Sequence, residues 1–266
     1  RDGSANTGTI SITNDSAVAL DGNLDNSNGT ISLDDLGKAR LFGFIFGGIL
    51  KGPSKQGREM RANGAYPLEG AFVGRGGTLE NVVSEATIIV PEGSSYLDES
   101  LEIVGSLTNK GQLIIEAGSG NNAIMKSETM TLTGGGDIIF NGTGATIKAI
   151  NGLHLINEDN TVRGGGAFSI GAGYSFEITN RGRIDADQSE PLSLGAVVTN
   201  EGHVIASGPG GLKTGHFINR GQVSVESCMN VSTIEQESGS FSVGGELTFG
   251  SSTPTLKMKG GTFSGY

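Results

Sequence analysis

The sequence predicts an all-β chain wound as a right-handed, single-stranded parallel β-helix, a solenoid with coils of about 19–24 residues. Three observations predict it. One short phrase, apolar–x–Asn–x–Gly–x–apolar–x–apolar, returns at intervals of about 20 residues. Gly supplies 46 of the 266 residues, more than twice the roughly 7% of average usage, with no collagen-like period. No segment carries a convincing helical apolar periodicity, whereas Val, Ile, Leu, Thr and Phe alternate in short runs.

The phrase reads Leu107-Thr-Asn109-Lys-Gly111-Gln-Leu113-Ile-Ile115 and Ile178-Thr-Asn180-Arg-Gly182-Arg-Ile184-Asp-Ala186. It returns as Val198-Thr-Asn200-Glu-Gly202-His-Val204-Ile-Ala206 and Phe217-Ile-Asn219-Arg-Gly221-Gln-Val223-Ser-Val225. Weaker copies surround Asn157 and Asn26. The best-spaced set is Asn109, Asn157, Asn180, Asn200 and Asn219. The last four recur at about 20-residue steps, and the step from Asn109 to Asn157 is roughly twice as long. That first interval is read as two coils, the middle one lacking the Asn. A propeller blade would need about 40 residues per repeat.

Each position has a physical reading. The alternating apolar residues after Gly point inward, because strand side chains alternate faces. Gly is expected to let the corner adopt a positive φ, and Asn to tolerate the left-handed region. Stacked Asn side chains are expected to form an amide ladder along the axis. The residue between Asn and Gly alternates in sign through Arg181, Glu201 and Arg220, which predicts an exposed charge ladder. Few aromatics (6%) suggest a slender interior filled by aliphatic side chains.

Along the chain, residues 1–75 read as irregular coils and 76–266 as regular ones. Asp34-Asp35 reads as a turn, although 32–40, interrupted by Gly37, is also the best helical candidate. A basic stretch at 53–67 breaks the pattern and reads as a long loop leaving the wall. The end, 260–265, resembles the opening of another coil, so flanking coils or an anchor domain are expected. Arg1 opens the chain without Met or a signal peptide, as expected of a mature or trimmed segment.

A net charge of −10 disfavours nucleic acid and anionic membrane surfaces as partners. The longest apolar run, 41–50, has strand length and three Gly, so no membrane insertion is expected. Cys228 is the sole cysteine, which excludes an intramolecular disulfide and a Cys-based metal site.

Taken together, Gly76-Gly-Thr-Leu-Glu-Asn81, Thr87-Ile-Ile-Val-Pro-Glu-Gly93, Leu107-Thr-Asn-Lys-Gly111, Leu132-Thr-Gly-Gly-Gly136, Asn157-Glu-Asp-Asn-Thr-Val-Arg-Gly164 and 178–186 resemble the secreted bacterial β-strand-repeat proteins, autotransporter passengers and filamentous adhesins. The resemblance covers 76–266 and, loosely, 1–75. It implies a bacterial cell-surface or extracellular location, a stalk or adhesive role, and no catalytic residues or cofactors. The 53–67 stretch departs from it.

β-Helices also host polysaccharide-cleaving enzymes, whose sites cluster carboxylates and basic residues on one outer sheet. Asp185 and Asp187, with Arg183 beside them, are the carboxylate pair that could hold a cation or a uronate; Glu226 could share a patch with Asp187. His154, His203 and His216 show no metal-ligand spacing, and no nucleophile elbow or phosphate loop is present. The binding candidate is the loop carrying Lys55, Arg58, Arg61 and Tyr66, whose cations and ring could grip an acidic glycan. The expected function is an extracellular structural or adhesive segment whose partner is a host or cell-surface glycan or protein. The alternatives are a carbohydrate-binding or polysaccharide-cleaving domain and a trimeric phage fibre.

Overall fold

Short β-branched runs separated by Gly, Asn and Asp form strands here because each finds a parallel partner one turn away. The computed structural model describes residues 3–14, 16–53, 69–91, 100–118, 123–149, 152–170, 176–250 and 253–265. Every ordered element among them is a strand, and the strands pair in parallel. The chain is a β-solenoid with three strands to a turn. The first face runs from Ser4–Ala5 to Glu246–Phe249, the second from Thr9–Ile12 to Thr255–Met258, and the third from Ala17–Leu20 to Thr262–Gly265. Several strands bend through the corner between the first two faces. Leu212–Asn219, for instance, pairs with Leu192–Leu194 and then with Val197–Asn200. Pairing is continuous across Arg75 and Gly76.

Residues 32–40 form no helix. Thr30–Leu33 and Lys38–Leu41 are strands of the second and third faces, and Asp34 turns the chain between them. Its carboxylate accepts hydrogen bonds from the backbone N–H groups of Asn14, Leu36 and Gly37, at 2.8, 3.0 and 2.6 Å. Those bonds, Asn14's foremost, hold the Asp34 carboxyl below the usual range.

The interior follows the alternation. On the third face Ile138, Val162, Ile184, Val204, Val223 and Phe241 stack in register, each buried and each a turn from the next. Burial of one such side chain stabilises the fold by roughly 1.5–3 kcal/mol. The interior is less aliphatic than composition suggests. Phe72, Phe140, Phe168, Phe217 and Phe241 are among the largest fully buried side chains, and Phe140 meets Phe168 edge-on at 5.0 Å. Small residues make the room: Gly164 is the axial partner of Phe140, and a side chain at Gly166 would strike the Phe140 ring. Ile89, Ile114 and Ile139 occupy outward positions on the third face yet are buried, forming a second apolar cluster with Ala71. Such strands, covered on both faces, lose the polar–apolar alternation.

The repeated Gly does a different job from the one expected. Gly111, Gly182, Gly202 and Gly221 do not have positive φ, and none of the ladder asparagines is left-handed; Asn14 and Asn81 are the non-Gly residues that are, among those described. The reason for Gly is clearance. A Cβ at Gly202 would overlap the carbonyl oxygen of Gly182, and one at Gly221 the carbonyl oxygen of Gly202. The corners of successive turns touch backbone to backbone. The carbonyls of Asn157, Asn180, Asn200 and Asn219 each accept two N–H groups from the corner above. Asn180 takes Glu201 and Gly202 at 2.7 and 2.9 Å, and Asn200 takes Arg220 and Gly221 at 2.8 and 2.9 Å.

Candidate functional site

The corner after the second face holds a column of buried amides. Asn157 donates Nδ2–H to Asn180 Oδ1 at 2.9 Å, Asn180 to Asn200 at 2.9 Å, and Asn200 to Asn219 at 2.8 Å. Asn219 donates onward to Gln236 Oε1 at 2.9 Å. All five side chains are at most 1% exposed. Gln236 therefore serves as a rung that the Asn-based phrase does not detect. Asn109 does not touch Asn157. The turn between them carries Gly134–Gly136, whose backbone lies against Asn109, and Asn109 Nδ2 reaches Asn160 Oδ1 at 3.1 Å instead. Asn160 in turn exchanges hydrogen bonds with Asn157 at 2.9 and 3.1 Å. Asn26 belongs to another corner, between the first and second faces, where Asn6 donates to it at 2.7 Å.

Outside the amides runs the charge column. Arg181 bonds Glu158 at 2.6 Å and Glu201 at 3.0 Å; Arg220 bonds Glu201 at 3.2 Å and Glu237 at 2.8 Å; Lys259 bonds Glu237 at 2.7 Å. Lys110 pairs with Glu85 at 2.9 Å on earlier turns of the same corner. The hydrogen bonds from Lys259 and then Arg220 draw the Glu237 carboxyl from 4.5 down to about 2. Arg181 chiefly, and then Arg220, lower Glu201; Lys259 chiefly lowers Glu235.

A pH dependence follows with a definite sign. A carboxylate whose folded pKa is depressed binds fewer protons folded than unfolded, so its stabilisation is present above its unfolded value and is lost as pH falls through the folded one. Melting followed by circular dichroism should show the transition temperature falling between about pH 5 and pH 2, and Lys259→Gln should flatten that slope. A transition temperature that is constant over this window would mean that the column contributes nothing.

Asp185, Asp187, Glu226, His154 and His216 are already occupied. Asp185 is bound by Arg183 at 2.6 Å, and Asp187 faces Arg163 at 3.8 Å, while Arg163 also meets Asp137 at 3.4 Å. Glu226 takes a bond from Ser224 at 3.3 Å. His154 bonds Thr179 at 2.8 Å, and His216 faces Glu235 at 3.6 Å. Among the described residues no group of three His, Cys, Asp or Glu is placed to hold a metal ion. Lys55, Arg58, Arg61 and Tyr66 lie outside the described residues, as does most of the 53–67 stretch.

One concave feature has a different character. Arg40, Phe42, Val73, Arg75 and Pro91 line a cavity of about 160 Å³ at the edge of the third face. Arg40 points outward from Lys38–Leu41, between inward Ala39 and Leu41, and sits one turn from Val73 in register. Phe42 and Arg75 each follow the last residue of a third-face strand. The Arg75 N–H donates to Leu41 O at 3.1 Å and that of Phe42 to Leu20 O at 3.0 Å, which places their side chains at the same corner a turn apart. Phe42 is 40% exposed.

No protein-family model matches the chain, and neither a curated protein nor a solved structure matches it.

Proposed function

We propose that the chain is an extracellular structural or adhesive segment of a larger bacterial surface or secreted protein, as its likeness to autotransporter passengers and filamentous adhesins implies. The observation that carries the reading is axial continuity. Strands on each face hydrogen-bond to the turns before and after them, and one corner adds a column of buried amides inside a column of ion pairs. Such a stack gains stability turn by turn and holds its length without a wide core. That suits a spacer carrying loops away from a surface. Asp185 and Asp187, the carboxylate pair that a polysaccharide-cleaving reading would use, are each engaged by arginine, which gives that reading no support.

The test is accessibility in cells that make the full-length protein. An antibody raised against the solenoid should label intact cells or detect the protein in the medium, and external protease should remove the label. Labelling that appears only after lysis would overturn the reading.

A further inference from the structure

We infer that the cavity between Arg40 and Arg75 binds the anionic group of an acidic sugar, with Phe42 against the sugar ring. The inference stands apart from the rod reading, since a rod needs no such site.

The first support is the state of the two guanidinium groups. Among the described residues every other arginine is ion-paired: Arg163, Arg181, Arg183 and Arg220 each meet one or more carboxylates. Arg40 and Arg75 have no carboxylate of the described residues within ion-pair distance, and both line the same cavity, in a chain whose net charge is −10. Two like charges on one cavity repel, and an anion between them removes that cost. Guanidinium forks match carboxylate and sulfate oxygens with paired N–H donors.

The second support is the shape and lining. Phe42, Val73 and Pro91 supply apolar surface between the cations. A pyranose ring offers an apolar C–H face and, when it is a uronate or a sulfated sugar, an anionic edge. At about 160 Å³ the cavity is smaller than the roughly 300–1,000 Å³ of drug-sized pockets. It therefore takes one charged residue of a longer glycan and leaves the neighbouring sugars on the outer face. A nucleic acid is disfavoured as the anion, because the chain's overall charge repels an extended phosphate backbone.

The experiment is calorimetric titration of the intact chain with three matched oligomers, of galacturonic acid, of sulfated galactose and of galactose. The expected result is that one or both acidic oligomers bind more than tenfold more tightly than the neutral one, the tighter of the two identifying the anion. Arg40→Gln and Arg75→Gln should each raise Kd about tenfold or more, and Phe42→Ala at least threefold. Arg183→Gln removes an equal charge from the third face, where the guanidinium is already paired, and should change Kd less than twofold. Both cavity arginines are exposed, so thermal melts should show all variants folded. Equal affinity for the neutral oligomer would overturn the inference. So would affinity unchanged in the Arg40→Gln, Arg75→Gln double variant, or an equal loss in Arg183→Gln, which would reduce the binding to general charge attraction.

Discussion

Asn200→Asp is expected to destabilise the chain by roughly 4 kcal/mol at pH 7, the cost typical of an uncompensated buried charge. Asn200 is fully buried. Its Nδ2 donates to Asn219 Oδ1 at 2.8 Å, Gln222 O at 3.2 Å and Gly202 O at 3.3 Å, while its Oδ1 accepts from Asn180 at 2.9 Å. A carboxylate keeps the acceptor and loses the donor. Its second oxygen then faces three acceptor oxygens, and the charge is held in a region that water does not reach. The pH trend of the variant should oppose that of the parent. Burial among acceptors raises the folded pKa of the new carboxyl above its unfolded value, so stability is fullest at low pH and declines as pH rises through the folded pKa. Urea unfolding at pH 7 and pH 4.5 measures this directly. Asn200→Asp should recover part of its loss at pH 4.5, whereas the parent should lose a little. A variant as stable as the parent at pH 7 would show that the amide column does not support the fold.

Gly202→Ala should cost about 3 kcal/mol, at the upper end of what forced overpacking produces. The added methyl has no place to go, because its nearest neighbours are backbone atoms of Arg181 and Gly182 one turn away. Relief requires the corners to separate, which stretches the bonds from Glu201 and Gly202 to Asn180 O, now 2.7 and 2.9 Å. Gly8→Ala is the control: Gly8 is exposed, its φ is not in the left-handed region, and a Cβ there meets nothing within 4 Å. That change should fall within about 0.5 kcal/mol of the parent. Equal unfolding midpoints for the two variants would refute the close backbone contact at the corner.

Those two residues also show what the sequence could and could not convey. In a solenoid, spacing along the chain is position along the axis. A phrase returning about every 20 residues between Asn157 and Asn219 was therefore enough to reveal the winding and the interior column. The role of Gly was legible as a requirement but not as a cause. Positive φ and close approach both select the residue without a Cβ, and only the backbone of the neighbouring turn separates them. The Gln236 rung escaped because its carboxamide is set one methylene further from the backbone. The segment Ile234-Glu-Gln236-Glu-Ser-Gly-Ser-Phe241 also carries one extra residue before the apolar position, which hides the phrase. Composition misjudged the interior because an average says nothing of where phenylalanine falls, and Phe140 beside Gly164 is a local exchange of volume. Arg40 and Arg75 form no local motif. They are distant along the chain, with the aperiodic 53–67 stretch between them, and only the pairing of Arg40 with Val73 brings them to one cavity. Cations beside an aromatic ring suit an acidic glycan; along the chain that combination is densest at Lys55, Arg58, Arg61 and Tyr66, which lie outside the described residues, whereas among the described residues Arg40, Phe42 and Arg75 supply it.

The winding itself is tested most directly by distances along the charge column. Spin-label pairs at residues 158 and 237, and at 110 and 259, would be measured by double electron–electron resonance. Successive turns spaced by about 4.8 Å place the first pair four turns and roughly 19 Å apart, and the second seven turns and roughly 34 Å apart, before label length is added. The two distances should therefore differ by about 15 Å and each should be narrowly distributed. Equal distances, or broad ones unrelated to the number of turns between the labels, would contradict the stacked solenoid.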